Sequence, residues 1–231
     1  MSTLKILGAG PVKRGVTLLA EKFEKTSGHR VSVEFAGAPN VRERVLAGEA
    51  VDVAVAPQAA MEEFAQQGKV DGATRIVVGR SRMGIAVRKG APLPEMASVE
   101  GFKRALMQAD EIVCNVASSG AYMVALLERL GMADATGGKV LKLPNTVKVM
   151  EHVAGSPARA LGVGQLAEIS ELVDAGTAVV LAAPLPDAIQ NVTAYGAAAI
   201  AGSGARDAAA AFTAFLATPE AKAVFSSTSI D

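Results

Sequence analysis

Three times within its first 68 residues the chain runs from a strand-like apolar stretch into a helical one. "LKILGA" leads into "VKRGVTLLAEKFEKTSG", "RVSVEFA" into "NVRERVLAG" with Asn40 as its expected N-cap, and "VDVAVAP" into "AAMEEFAQQG". Gly28 and Gly48 stand where the first two helices should stop. This β-α-β-α-β order admits few folds: parallel strands need a long crossover, and the helices supply it, so a doubly wound α/β sheet is expected.

The rhythm breaks at "RIVVGRSRMGIAVRKGAPLPEM", where strand-like runs flank Arg80, Ser81 and Arg82. That stretch reads as a crossing into a second lobe, itself an alternation of helices and strands from "SVEGFKRALMQA" to "ALGVGQ". Pro184 and Pro186 mark a crossing back, and "NVTAYGAAAIAG" and two helices then complete the first lobe. The expected division is 1–80 with 185–231 for one lobe and 81–184 for the other. Ligands of such proteins bind at the C-terminal ends of the strands, in the cleft between lobes.

The turns after those strands are "GAGPVKR", "AGAPNVR", "NVASSGAY" and "LPNTVKV". Their small and capping residues, Gly10, Ala38, Asn40, Ser118, Ser119 and Thr146 among them, let backbone N–H groups approach a ligand. Helix N-termini that converge make a site for an anion. The first turn is not a dinucleotide fingerprint, because Lys13 stands where G-x-G-x-x-G needs its third glycine. Lysine and arginine total 23 and balance 23 acidic residues, which gives no support to attraction for nucleic acid or a membrane surface. Cys114, the one cysteine, sits in the apolar run "EIVCNV" as a buried strand residue. No metal cluster, cofactor motif or membrane-length apolar run is visible, so neither a cofactor nor direct membrane insertion is expected. No secretory signal precedes the first strand; the expected location is cytoplasmic if Met1 is the native start, and periplasmic if a signal peptide has been removed.

The stretches "ILGAGPVKRGVTLLAEKFEKTSGHRVSVEFAGAPNVRERVLAGEAVDVAVAP", "ASSGAYMVALLERLG", "RALGVGQLAEI" and "AFTAFLATPEAKAVF" together resemble the type II periplasmic binding proteins, in their molybdate-binding branch. The resemblance implies two lobes that close on an oxyanion, and an ABC transporter as partner if the protein is exported. Serines that contact molybdate in the family fall on Pro11 and Ala38, and a tyrosine falls on Gln165. Ser119 and Val147 match positions that bind through the backbone. Two hydroxyl donors are therefore missing, and a buried molybdate would be underpaired. Cations take their place: Lys13 and Arg14 at the first helix, Arg42 and Arg44 in the second, Arg80 and Arg82 at the crossing. Arginine suits carboxylates, so the expected ligand is a small anion, a di- or tricarboxylate first.

Some relatives in that branch resemble aconitate isomerases, which implies the alternative of an enzyme acting on a small unsaturated tricarboxylate. Such a reaction needs a base beside the substrate carbon. Tyr122, Glu168 and Glu34 are the candidates, with His29 and His152 weaker.

Overall fold

Strand β1 (Thr3–Ala9) is the first element of a computed structural model that describes residues 3–231. In chain order there follow α1 (Lys13–Ser27), β2 (Arg30–Ala36), α2 (Ala38–Leu46), β3 (Val53–Pro57), α3 (Gln58–Gln66) and β4 (Ile76–Arg88). Then come α4 (Val99–Gln108), β5 (Glu111–Asn115), α5 (Ser118–Arg129), the short α6 (Ala133–Thr136), β6 (Val140–Leu143), α7 (Thr146–Gly155), β7 (Ala160–Gln165), α8 (Leu166–Asp174) and β8 (Val179–Pro184). Strand β9 (Val192–Ala199) and helices α9 (Arg206–Leu216) and α10 (Pro219–Ser227) close the chain. The fold is mixed α/β, as the alternating sequence requires.

The first compact unit comprises the described part of Met1–Ser81 together with Thr193–Asp231. Its strands run β2-β1-β3-β9-β4, with β2, β1 and β3 parallel and β9 antiparallel to β3. Helix α1 buries Val16, Leu19, Ala20 and Phe23, spaced to form one helical stripe. It ends at Gly28, whose φ of 73° is left-handed and easy only for glycine. Gly8 and Gly15 are explained by packing. A Cβ at Gly8 would come within 2.7 Å of the Phe35 ring, and one at Gly15 within 2.5 Å of Phe225.

The second unit is Arg82–Val192. Strands β6, β5 and β7 are parallel, and β4 joins them antiparallel to β7, with β8 on its other side. Both faces of this sheet are covered, as a parallel sheet requires. Phe102 and Leu106 of α4 and Met123 and Leu126 of α5 pack with Ile112 and Cys114 on one face. Val149, Met150 and Val153 of α7 pack with Val113 and Ile169 on the other. Truncating fully buried Phe102 to alanine would cost about 3–5 kcal/mol.

Three expectations are corrected. Helix α2 starts at Ala38 with Gly37 as its cap, so Asn40 lies inside the first turn and caps nothing. Pro39 is the reason: its fixed φ and missing N–H suit the first turn, and they draw the start forward. Arg44 accordingly falls in the last turn of α2. The first crossing is one continuous strand, β4, 13 residues long, rather than two runs separated at Arg80–Arg82. The return comes at 192/193 rather than 185. Leu185 and Ile189 are buried in the second unit's core, and Gln190 accepts from the Met83 N–H and donates to the Met83 carbonyl.

Candidate functional site

At the C-terminal ends of β5, β6 and β7, inside the second unit, four polar side chains form one hydrogen-bonded group. Asn115 ends β5 and is 4% exposed. Its Oδ1 accepts from the backbone N–H of Ala117 at 2.9 Å and of Gly120 at 3.2 Å. It thereby caps α5 from three residues before the helix begins. Its Nδ2 donates to Ser119 Oγ at 2.9 Å and to Thr146 Oγ1 at 3.1 Å. Thr146 Oγ1 in turn donates to Glu168 Oε2 at 2.9 Å. Ser119 and Thr146 are buried, at 3% and 4% exposed. Three helices, α5, α7 and α8, thus present their first turns to a single group, and each first turn carries partial positive charge.

Glycine is obligatory where α5 meets β5. A Cβ at Gly120 would lie 1.7 Å from the Asn115 carbonyl oxygen, so only a bare Cα lets the helix descend onto the strand end. Asn145 caps α7 by accepting from the Lys148 N–H at 3.0 Å. Val116 (67% exposed) and Val147 (44% exposed) flank the group and set apolar surface beside it.

Several expected residues belong to this arrangement. Ser119, Thr146 and Glu168 are members, Val147 borders it, and Gln165 is buried at the end of β7 as the residue before α8. Ser118 stands exposed in the first turn of α5. Tyr122 is engaged elsewhere, since its hydroxyl donates to the Ile189 carbonyl at 2.9 Å and accepts from Arg129 Nη2 at 3.0 Å. Arg129 also lies over the ring, 5.6 Å from its centre. Arg82 pairs with Asp187 at 2.8 Å, both exposed.

In the first unit the starts of α1, α2 and α3 are built otherwise. The chain enters α1 through a short turn, Gly10–Val12, with Pro11 in its first positions. No side chain caps that turn, α1, α2 or α3. Lys13 is exposed and Arg14 half-buried in the first turn of α1, and neither is without a partner. Ala38 opens α2. Arg80 is exposed, and its backbone pairs with Asp231 through both N–H and carbonyl. The cations of α2 are engaged with carboxylates. Arg42 binds Glu63 through two nitrogens, and Arg44 binds both Glu49 and Glu34. These arginines hold the Glu34, Glu49 and Glu63 carboxyls below the usual carboxylate range. Glu34 is therefore an ionised, exposed member of an ion-pair cluster.

His152 contacts Glu111 at 2.9 Å, on the helix end away from Thr146. That contact, with a hydrogen bond from Ser156, lowers the Glu111 pKa. Burial raises that of the Cys114 thiol. Among the described residues no three His, Cys, Asp or Glu side chains gather to hold a metal, and no helix is long and apolar enough to cross a membrane. A cavity of about 370 Å³ lies at the opposite ends of the strands, among Val87, Arg88, Leu93, Pro94 and Leu161, away from the polar group.

Sequence reasoning passed over Asn115 and Gly120, although both lie in the turn "NVASSGAY". A polar amide at the end of an otherwise apolar strand, five residues before a glycine, was the available signal.

Comparison with known proteins agrees with the fold. Residues 4–228 match the model of a family described as bacterial extracellular solute-binding protein. The chain is 28% identical over 229 residues to an aconitate isomerase from a Pseudomonas species, covering 96% of this chain and 84% of that protein. Among solved structures, the periplasmic molybdate-binding protein of Azotobacter vinelandii superposes with a TM-score of 0.77 at 16% identity, over 99% of this chain and 98% of that one. The sulfate-binding protein SubI of Mycobacterium tuberculosis gives 0.79 at 16% identity, over 100% and 86%.

Proposed function

The chain belongs to the bacterial extracellular solute-binding protein family, and on that premise we propose that it binds a small organic anion, a di- or tricarboxylate, at the first turns of α5 and α7. The observation that carries this reading is the buried group centred on Asn115. It fixes Ser119 and Thr146 among three helix N-termini, where backbone N–H groups and helix dipoles favour negative charge. Two features favour a carbon skeleton over a compact inorganic dianion. Glu168 brings a carboxylate to the same group, and like charge opposes two charges concentrated at one point more than the single charge of one carboxylate end. Val116 and Val147 offer apolar contact beside it. Ser118, Val147 and Gln165 complete the proposed set in this unit. Within the first unit, taken by itself, Gly10, Pro11, Lys13, Arg14, Ala38, Asn40 and Arg80 are proposed as a separate set of anion contacts, with Arg14 as the cation to test. A solute-binding protein of an extracellular family hands its ligand to a membrane transporter, so export and an ABC transporter as partner follow from the same reading.

Calorimetric titration with cis-aconitate, citrate, succinate, sulfate, phosphate and molybdate tests the proposal. A carboxylate should bind, and S119A should weaken it about tenfold, roughly 1.4 kcal/mol for one lost charge-assisted hydrogen bond. Binding of molybdate or sulfate alone would overturn the carboxylate reading.

The second reading, isomerisation of an unsaturated tricarboxylate, is favoured by the 28% identity to an aconitate isomerase across nearly the whole chain and by Glu168 as the carboxylate within the group. Proton NMR with cis-aconitate in deuterated water separates the two. A new isomer, or deuterium entering the allylic position, marks an enzyme with Glu168 as its base. An unchanged substrate that nevertheless binds marks a carrier.

A further inference from the structure

The direction of every hydrogen bond around Asn115 follows from two backbone contacts. Oδ1 faces the N–H groups of Ala117 and Gly120, and only a carbonyl oxygen can accept both. The amide therefore cannot be reversed, and Nδ2 must spend its two hydrogens on Ser119 Oγ and Thr146 Oγ1. Thr146, having accepted, passes its own hydrogen to Glu168 Oε2. Ser119 has also accepted, and among the described residues nothing takes its hydrogen. A hydroxyl ordinarily rotates to donate or accept as its neighbour demands. Here one acceptor site is already filled by Asn115, and the Ser119 hydrogen is turned away from the amide.

We propose that Asn115 is a positioning residue that sets the specificity of the site: by donating to Ser119 it leaves the Ser119 hydrogen as the group a ligand must satisfy, so the site favours an ionised carboxylate oxygen at that point over the weaker neutral oxygen of an amide. This inference rests on the binding of a small carboxylate proposed above. An amide can offer Ser119 only its neutral carbonyl oxygen, which makes a weaker hydrogen bond than a carboxylate, and turning its N–H there instead would leave the serine hydrogen unpaired.

Two measurements test it on the intact protein. The first needs no ligand. In ¹⁵N–¹H spectra the two δ-amide hydrogens of Asn115 should resonate apart, with S119A moving one and T146V the other. If neither variant moves either hydrogen, the assignment is overturned. The second compares succinate with succinamate, in which one carboxylate is replaced by an amide. Wild type should prefer succinate at least tenfold. In N115D the carboxylate keeps the two backbone contacts, while its second oxygen replaces the donating nitrogen. Ser119 and Thr146 then turn their hydrogens inward, and the preference should fall to about threefold or less. S119A, which keeps both backbone caps, should also lose the preference and serves if N115D does not fold. An undiminished preference in a folded variant overturns the proposal. Failure of wild type to bind either probe counts against the carboxylate reading, and the amide-hydrogen spectra then decide the assignment alone.

Discussion

Helices α1, α2 and α3 of the first unit and α5 and α7 of the second begin by different means. In the second, side chains do it: Asn115 caps α5, Asn145 caps α7, and Ser119, Thr146 and Glu168 link three first turns into one group. In the first, α1, α2 and α3 start without a side-chain cap, at Val12, Gly37 and Pro57. It places partly exposed ion pairs instead on α2 and its neighbours. A buried group with every direction assigned holds its geometry before a ligand arrives, so binding costs it little ordering. Exposed pairs are screened by salt and contribute little rigidity.

The largest expected effect tests the rigid side. G120A drives a methyl into the Asn115 carbonyl oxygen and should destabilise the second unit by about 3 kcal/mol or more, at the upper end of overpacking. G8A and G15A in the first unit meet phenylalanine rings, which can shift, so about 1–3 kcal/mol is expected there. Urea titrations of the three variants that gave equal losses would remove the contrast. N115L should come next, at about 3 kcal/mol, because it strands two backbone N–H groups and removes the donor to Ser119 and Thr146. Its melting temperature should fall well below that of N191L, since Asn191 holds only the Met83 sulfur and its own backbone bond.

A smaller effect sharpens the other side. Glu34, Glu49 and Glu63 have folded pKa values below the ordinary 4.5, so they favour the folded state above that pH and lose this effect as pH falls through their lowered values. Melting temperature should drop on acidification below about 4.5, and R44Q should flatten that slope. An equally steep slope in R44Q would show that the acid sensitivity lies elsewhere. The smallest effect belongs to Arg82 and Asp187: R82Q should leave stability within about 0.5 kcal/mol of wild type, as for exposed pairs generally.

Much of the fold was legible because alternating periodicity is a local property. Thr146–Gly155 and Ala160–Gln165 are the helix and strand that their sequences announce. The start of α2 was misplaced because Asn40 is a good cap by composition, whereas Pro39 decides by geometry. The crossing at Arg80–Arg82 looked like a break because two arginines are rarely central in a strand; here both point outward beside buried Ser81. The site was half legible. Ser119 and Thr146 announced themselves as small residues in turns. Asn115 did not, because its role depends on Thr146, 31 residues away, and on Glu168, 22 residues further on. The arginines of α2 looked available for a ligand until Glu49 and Glu63 were found against them.

Cys114 lies one residue before Asn115, fully buried, with its thiol made less acidic by that burial. Thiolates rather than thiols react with maleimides and disulfides, so Cys114 should react slowly with thiol reagents in the folded protein. The chain also contains no tryptophan. A cysteine introduced at Val116 or Val147 would then be the single fast-reacting handle in the molecule. A dye attached there would report on the rim of the polar group against a dark background, turning a packing residue into a convenience for biosensor construction.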